Sequence, residues 1–114
     1  MIEFIKTMKA LSDPNRIKMI KLLQHRVLCV CEMQEALGLA QSTVSKHLKI
    51  LEDSGLITHF KDGLWVNYRL SDGNCNPYVA NLLGTLRHWL DEDPDIHALV
   101  ARLPEINRKN ICGN

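Results

Sequence analysis

The stretch from Gln41 to Ile57 constrains this chain more than any other. It reads as one amphipathic helix closed at Gly55, a residue suited to the left-handed conformation that ends helices. Val44, Leu48 and Leu51 recur at the spacing of a buried helical stripe. Ser42, Ser45, Lys46 and Lys49 repeat a helical spacing on the opposite side, giving a small, hydroxyl-bearing and cationic face. Short hydroxyls let a helix sit deep in a groove and bond phosphates or base edges, and lysines neutralise phosphate charge. Glu52 and Asp53 come only at the far end. In isolation such a helix reads as an ordinary solvated surface helix; its neighbours decide between the two.

On the N-terminal side, Met33, Ala36 and Leu37 face inward on a shorter helix, with Glu32, Gln34 and Glu35 outward, and Gly38 breaks it. A short helix, a tight glycine-containing turn and a second helix with a polar outer face form the helix-turn-helix pattern. On the C-terminal side the period changes to two. Leu56 to Lys61 and Leu64 to Leu70 read as strands joined at Asp62-Gly63, a strong hairpin signal. A hairpin directly after a recognition helix is a wing, and its tip around Lys61 is placed to reach a flanking minor groove or backbone.

The rest of the chain frames this unit. Phe4, Ile5, Met8 and Leu11 mark a first helix, expected over 2–11. Asp13 and Pro14 cap and open a second, with Ile17, Met19, Ile20, Leu22 and Leu23 apolar and Lys18 and Lys21 on its outer side. After the turn at Ser71-Asp72-Gly73-Asn74, a long helix expected over 77–92 carries Tyr78, Leu82, Leu86, Trp89 and Leu90. That surface is broader than a small core needs, so a homodimer through the first and last long helices is expected. A short amphipathic piece, Ile96 to Leu103, follows. The expected fold is mainly α with a small β-hairpin, a dimeric winged helix-turn-helix of order α-α-α-α-β-β-α. The expected domain spans 1–104, with a polar and mobile tail over 105–114.

The chain has 114 residues, enough for one domain, and neither a long apolar run nor a secretory leader pattern. The expectation is a cytoplasmic protein with no membrane segment, whose four cysteines are reduced thiols. Net charge is only +1, but ten Lys/Arg against seven Asp/Glu lie at or before Leu70, and four against six after it. This fits a DNA-binding half followed by an assembly half. No nucleophile–base pair or phosphate-binding loop supports an enzyme.

Leu11-Ser12-Asp13-Pro14-Asn15-Arg16, Leu28-Cys29-Val30-Cys31-Glu32, Gln41 to Leu48, Ser54-Gly55-Leu56-Ile57 and Gly63 to Leu70 together resemble the ArsR/SmtB family of bacterial metal-sensing repressors, over nearly the whole chain to about Leu90. Cys-Val-Cys looks most like the arsenic-responsive branch. The resemblance implies transcription regulation by a homodimeric repressor that binds double-stranded operator DNA when empty and leaves it when loaded, in arsenic resistance. Gln41, Ser42, Thr43, Ser45, Lys46, His47, Lys49 and Lys61 are the expected DNA-binding residues. The branch often has a third cysteine three residues after the second, where this chain has Gln34. The paired Asp and His residues of zinc sensors are absent from the early turns of the last long helix.

The inducer expected from this resemblance is arsenite, As(III), with Sb(III), Cd or Pb as further soft ions that favour thiolate sulfur. Cys29 and Cys31 are the expected ligands, with Cys112 as the third and Cys75 as its alternative. Residues i and i+2 of a regular helix point nearly opposite ways, so joint ligation asks for an extended or unwound first turn. A nearby helix N-terminus is expected to lower the thiol pKa. Small buried cysteines without a ligand are the competing reading for the pair. A cadmium/lead-type sensor and a thiol redox sensor are the alternatives on the same scaffold.

Overall fold

The computed structural model describes residues 1–107. Helices α1 (Ile2–Ala10), α2 (Pro14–Leu23), α3 (Val30–Leu37) and α4 (Gln41–Asp53) precede the hairpin β2 (Ile57–Asp62) and β3 (Trp65–Leu70). Helices α5 (Pro77–Leu86) and α6 (Pro94–Arg102) and a 3-10 turn (Leu103–Glu105) follow. The winged helix-turn-helix is therefore present, with the 3-10 turn and one strand beyond the sequence reading. Strand β1 (Leu28–Cys29) joins the hairpin antiparallel, in the order β1-β3-β2, pairing Leu28 with Tyr68 and Cys29 with Asn67. A two-residue strand is too short for its alternation to show in sequence.

Helices α2, α5 and α6 begin in the same way. Asp13, Asn76 and Asp93 stand in extended conformation at the cap, each side chain accepting backbone N–H groups of the first turn, and Pro14, Pro77 and Pro94 take the next position. Between α3 and α4, Gly38 (φ +67) closes the first helix. Val44, Leu48 and Leu51 are all fully buried, as their spacing predicts. They pack with Met19, Ile20 and Leu22 of α2 and Met33 of α3.

The hairpin is shifted by one residue from the sequence reading. Asp62 pairs with Trp65, so the loop is Gly63-Leu64 rather than Asp62-Gly63. Positive φ at Gly63 and not at Leu64 fits a II′ turn, which takes glycine first; an Asp-Gly loop belongs to type I′.

Two further expectations are corrected. Helix α5 stops at Leu86, not 92, and Lys21 lies in the interior instead of on the outer side of α2. One contact accounts for both. Lys21 Nζ donates to Leu86 O at 2.8 Å, to Trp89 O at 2.8 Å and to Asp91 Oδ1 at 2.6 Å. A buried ammonium with three acceptors draws the chain round itself, which requires a turn where an amphipathic pattern alone reads as more helix. Leu90 takes φ +68 there. Lys21 in turn holds the Asp91 carboxyl below the ordinary carboxylate range.

Candidate nucleic-acid interface and thiol site

Helix α4 rests on its apolar stripe and presents the other side outward. Gln41, Ser42, Thr43, Ser45, Lys46 and Lys49 are exposed, as is Lys61 near the wing tip, and His47 is half-buried. Lys49 pairs with Asp53 one turn on, at 3.2 Å. Gln41, Ser42, Thr43, Ser45, Lys46 and Lys61 have no side-chain partner among the described residues, so their polar groups are free for an external ligand. At the foot of the wing, His59 pairs with Glu52 of α4, and Arg69 stacks on Phe60 at 4.7 Å. The first contact braces the hairpin against the helix, and the second ties its two strands to each other.

His47 is held from below. Arg16, in the first turn of α2, donates from Nε to Ala10 O at 2.6 Å and from Nη2 to Lys9 O at 3.2 Å. Its Nη1 lies 3.1 Å from His47 Nδ1. Asp13 sits beneath this group. Burial works against its charged form, yet the N–H groups of Arg16 and Asn15 outweigh it and keep the carboxyl below its ordinary value. The sequence reading marked Arg16 only as part of a motif. Its signal was position: a guanidinium in the first turn of a helix is more useful to a neighbouring helix's C-terminal carbonyls than to its own.

The thiol site straddles an element boundary. Cys29 has extended backbone (φ −93, ψ 174) and is the N-cap of α3, while Cys31 is one residue inside the helix. The first turn therefore needs no unwinding for the pair to depart from helical spacing. Cys29 and Glu32 form a reciprocal capping box, with Cys29 N–H donating to Glu32 Oε1 at 2.9 Å. Glu32 is therefore buried, not outward as read from the sequence. The three-residue spacing of a capping box was the visible clue. Burial pushes the Cys29 thiol above its ordinary value and the Glu32 carboxylate adds to this; together they outweigh the expected lowering by the helix terminus, which the N–H groups of Glu32 and Cys31 do supply.

Glu32 leads to the end of the described chain. Arg26 Nη2 donates to Glu32 Oε2 at 2.7 Å and to Ile106 O at 2.6 Å, and Ile106 is buried. Cys75 is elsewhere: its Sγ lies 3.6 Å from Gly55 O at the exit of α4. Cys112 lies outside the described residues. Free thiols among the described residues are Cys29 and Cys75, whereas Cys31 is disulfide-bonded, so the expectation of reduced thiols does not extend to it. Among the described residues no group of three or more His, Cys, Asp or Glu is placed to hold a metal ion. No helix among them is long and apolar enough to cross a membrane.

A helix-turn-helix with a free polar face, a braced wing and a sheet that carries a cysteine at its edge defines a DNA-binding regulator of winged-helix type. Residues 13–59, from the cap of α2 into β2, match the model of the bacterial regulatory protein arsR family. The arsenical resistance operon repressor of Escherichia coli is 35% identical over 113 residues, covering 95% of this chain and 94% of that one. The arsenic resistance transcriptional regulator ArsR1 of Pseudomonas putida is 41% identical over 89 residues, 75% of this chain and 70% of its own. Among solved structures, HlyU from Vibrio cholerae superposes with a TM-score of 0.63 at 28% identity, over 75% of this chain and 89% of that chain. The homodimeric winged helix-turn-helix domain of Mb0332 from Mycobacterium bovis gives 0.67 at 25% identity, over 80% and 81%. The chain belongs to the ArsR family. It is a DNA-binding transcriptional repressor of that type, not an enzyme.

Proposed function

We propose that this repressor is a homodimer that leaves its operator when arsenite binds Cys29, Cys31 and Cys112. The observation that carries the choice of ligands is the Cys29–Glu32–Arg26–Ile106 chain of contacts. It anchors the C-terminal segment one guanidinium away from the Cys29 turn. Cys112 is six residues beyond Ile106, an extended reach of up to ~20 Å. Cys75, tied to the exit of α4, serves less well as third donor.

The raised pKa of Cys29 favours arsenite over divalent ions. Neutral arsenous acid brings its own leaving groups: a thiol S–H and an As–OH give an S–As bond and water, with no net proton released. Cadmium or lead must instead expel the Cys29 proton. Because Cys29 lies on β1, paired to Asn67 of β3, a shift of its backbone bears on the wing as well as on α3 and, through it, on α4. The free energy gained by loading the shifted form is lost to DNA affinity, typically ~1–3 kcal/mol of coupling.

The exposed aromatic and aliphatic side chains Phe4, Ile5 and Tyr78 support the dimer, with Phe4 set edge-on to Tyr78 at 5.3 Å across α1 and α5. The disulfide state of Cys31 supports a second reading, in which thiol oxidation is itself the signal. The test is release of a labelled operator duplex from fully reduced protein by arsenite, for serine variants of Cys29, Cys31, Cys75 and Cys112. Loss of release in all but Cys75→Ser is expected. Normal release from Cys29→Ser or Cys31→Ser refutes the ligand set, and release by oxidant but not by arsenite selects the redox reading.

A further inference from the structure

Arg16 carries three donor groups to three acceptors, and the third is a ring nitrogen on the recognition helix. A guanidinium has no acceptor and does not lose its proton in proteins. The nitrogen facing it, His47 Nδ1, must therefore hold a lone pair, which leaves the ring neutral with its proton on Nε2. This contact is the one side-chain hydrogen bond of His47 among the described residues, so Nε2–H has no protein acceptor there. The two ring nitrogens face away from each other, so Nε2 is directed away from Arg16. His47 lies within one helical turn of the exposed Thr43 and Lys46 and is itself only half-buried.

We propose that Arg16 is a positioning residue for DNA recognition: it fixes His47 in the Nε2–H tautomer, so that the ring donates a hydrogen bond to an acceptor on DNA. This deepens, and rests on, the reading of α4 as the helix that enters the groove. The acceptor is a phosphate oxygen or a purine N7 or O6, which share the same demand for a single donor. The same guanidinium closes the C-terminus of α1, so the end of α1 and the seating of α4 are set by one side chain.

The test uses the full-length reduced protein and a duplex selected by the wild type from a random library. His47→Ala and Arg16→Lys are each expected to weaken binding to this duplex by about tenfold. The double variant is expected to be no weaker than either single one, because both remove the same contact. His47→Gln, whose amide offers an acceptor to Arg16 and a donor outward, should stay within about threefold of wild type. Long-range proton–nitrogen NMR should show His47 unprotonated at Nδ1 in the wild type and a mixture of tautomers in Arg16→Lys. A loss that disappears with 7-deazapurine duplexes assigns the acceptor to purine N7, one that survives this change but is confined to the selected duplex assigns it to O6, and an equal loss on unselected DNA assigns it to phosphate.

Additive losses in the double variant, wild-type affinity in His47→Ala, or a protonated Nδ1 overturn the proposal. Failure of the wild type to select any duplex overturns the DNA reading beneath it instead. If Arg16→Lys does not fold, the contrast between His47→Ala and His47→Gln, with the wild-type tautomer, still decides.

Discussion

At the scale of single residues, Gly55 and Gly63 separate two costs that a sequence shows as one. Both have positive φ, at +85 and +63. A Cβ on Gly63 would meet nothing within 4 Å, whereas one on Gly55 would stand 2.6 Å from Cys75 Sγ. Gly63→Ala should therefore cost about 1 kcal/mol, the backbone penalty alone, and Gly55→Ala up to ~3 kcal/mol. Adding Cys75→Ala should recover only the contact part; urea melts of the four proteins check this. The two free thiols among the described residues differ as well. Cys29 is buried with a raised pKa and Cys75 is exposed, so iodoacetamide should alkylate Cys75 well before Cys29 at neutral pH, read by mass spectrometry. For the same reason cadmium affinity should fall as pH drops below the Cys29 pKa, while arsenite affinity should vary much less, as titrations at pH 6 and pH 8 would show. The motif gave the positions of these cysteines. Their electrostatics were not legible, because burial and the inward turn of Glu32 are properties of the assembled fold.

At the scale of elements, local chemistry was readable and long-range capture was not. The Asp13-Pro14 start, the Gly38 break and the stripe of Val44, Leu48 and Leu51 are short-range patterns, and each stands where the sequence put it. The end of α5 depends on Lys21, sixty-five residues away from Leu86, and no window of sequence contains both. Lys21→Met should free the Leu86 and Trp89 carbonyls and destabilise the fold by at least ~2 kcal/mol in thermal melts. The pH dependence has a definite sign. The Asp91 carboxyl is depressed by Lys21, so its contribution is present above the ordinary aspartate pKa near 3.8 and is lost as pH falls through the lower folded value. Asp91→Asn should flatten this acid limb of the stability profile and lower its plateau above pH 5, where the wild-type contribution is fully present.

At the scale of the whole molecule, the wide apolar surface noted in the sequence is real at Phe4, Ile5 and Tyr78, and Trp89 and Leu90 are exposed as well. Its extent was misjudged along α5, since Arg87 to Leu90 leave the helix. Phe4→Glu is expected to shift sedimentation from dimer to monomer at micromolar concentration and to weaken operator binding more than tenfold, by loss of the second half-site. The buried Lys21 also makes the protein its own clock. A primary amine enclosed with three acceptors is shielded from acylating reagents until the interior opens, whereas Lys6 and Lys46 react from the surface at once. The slow appearance of label on Lys21 would thus time the opening of the molecule, and binding of DNA, which restrains that opening, should delay it.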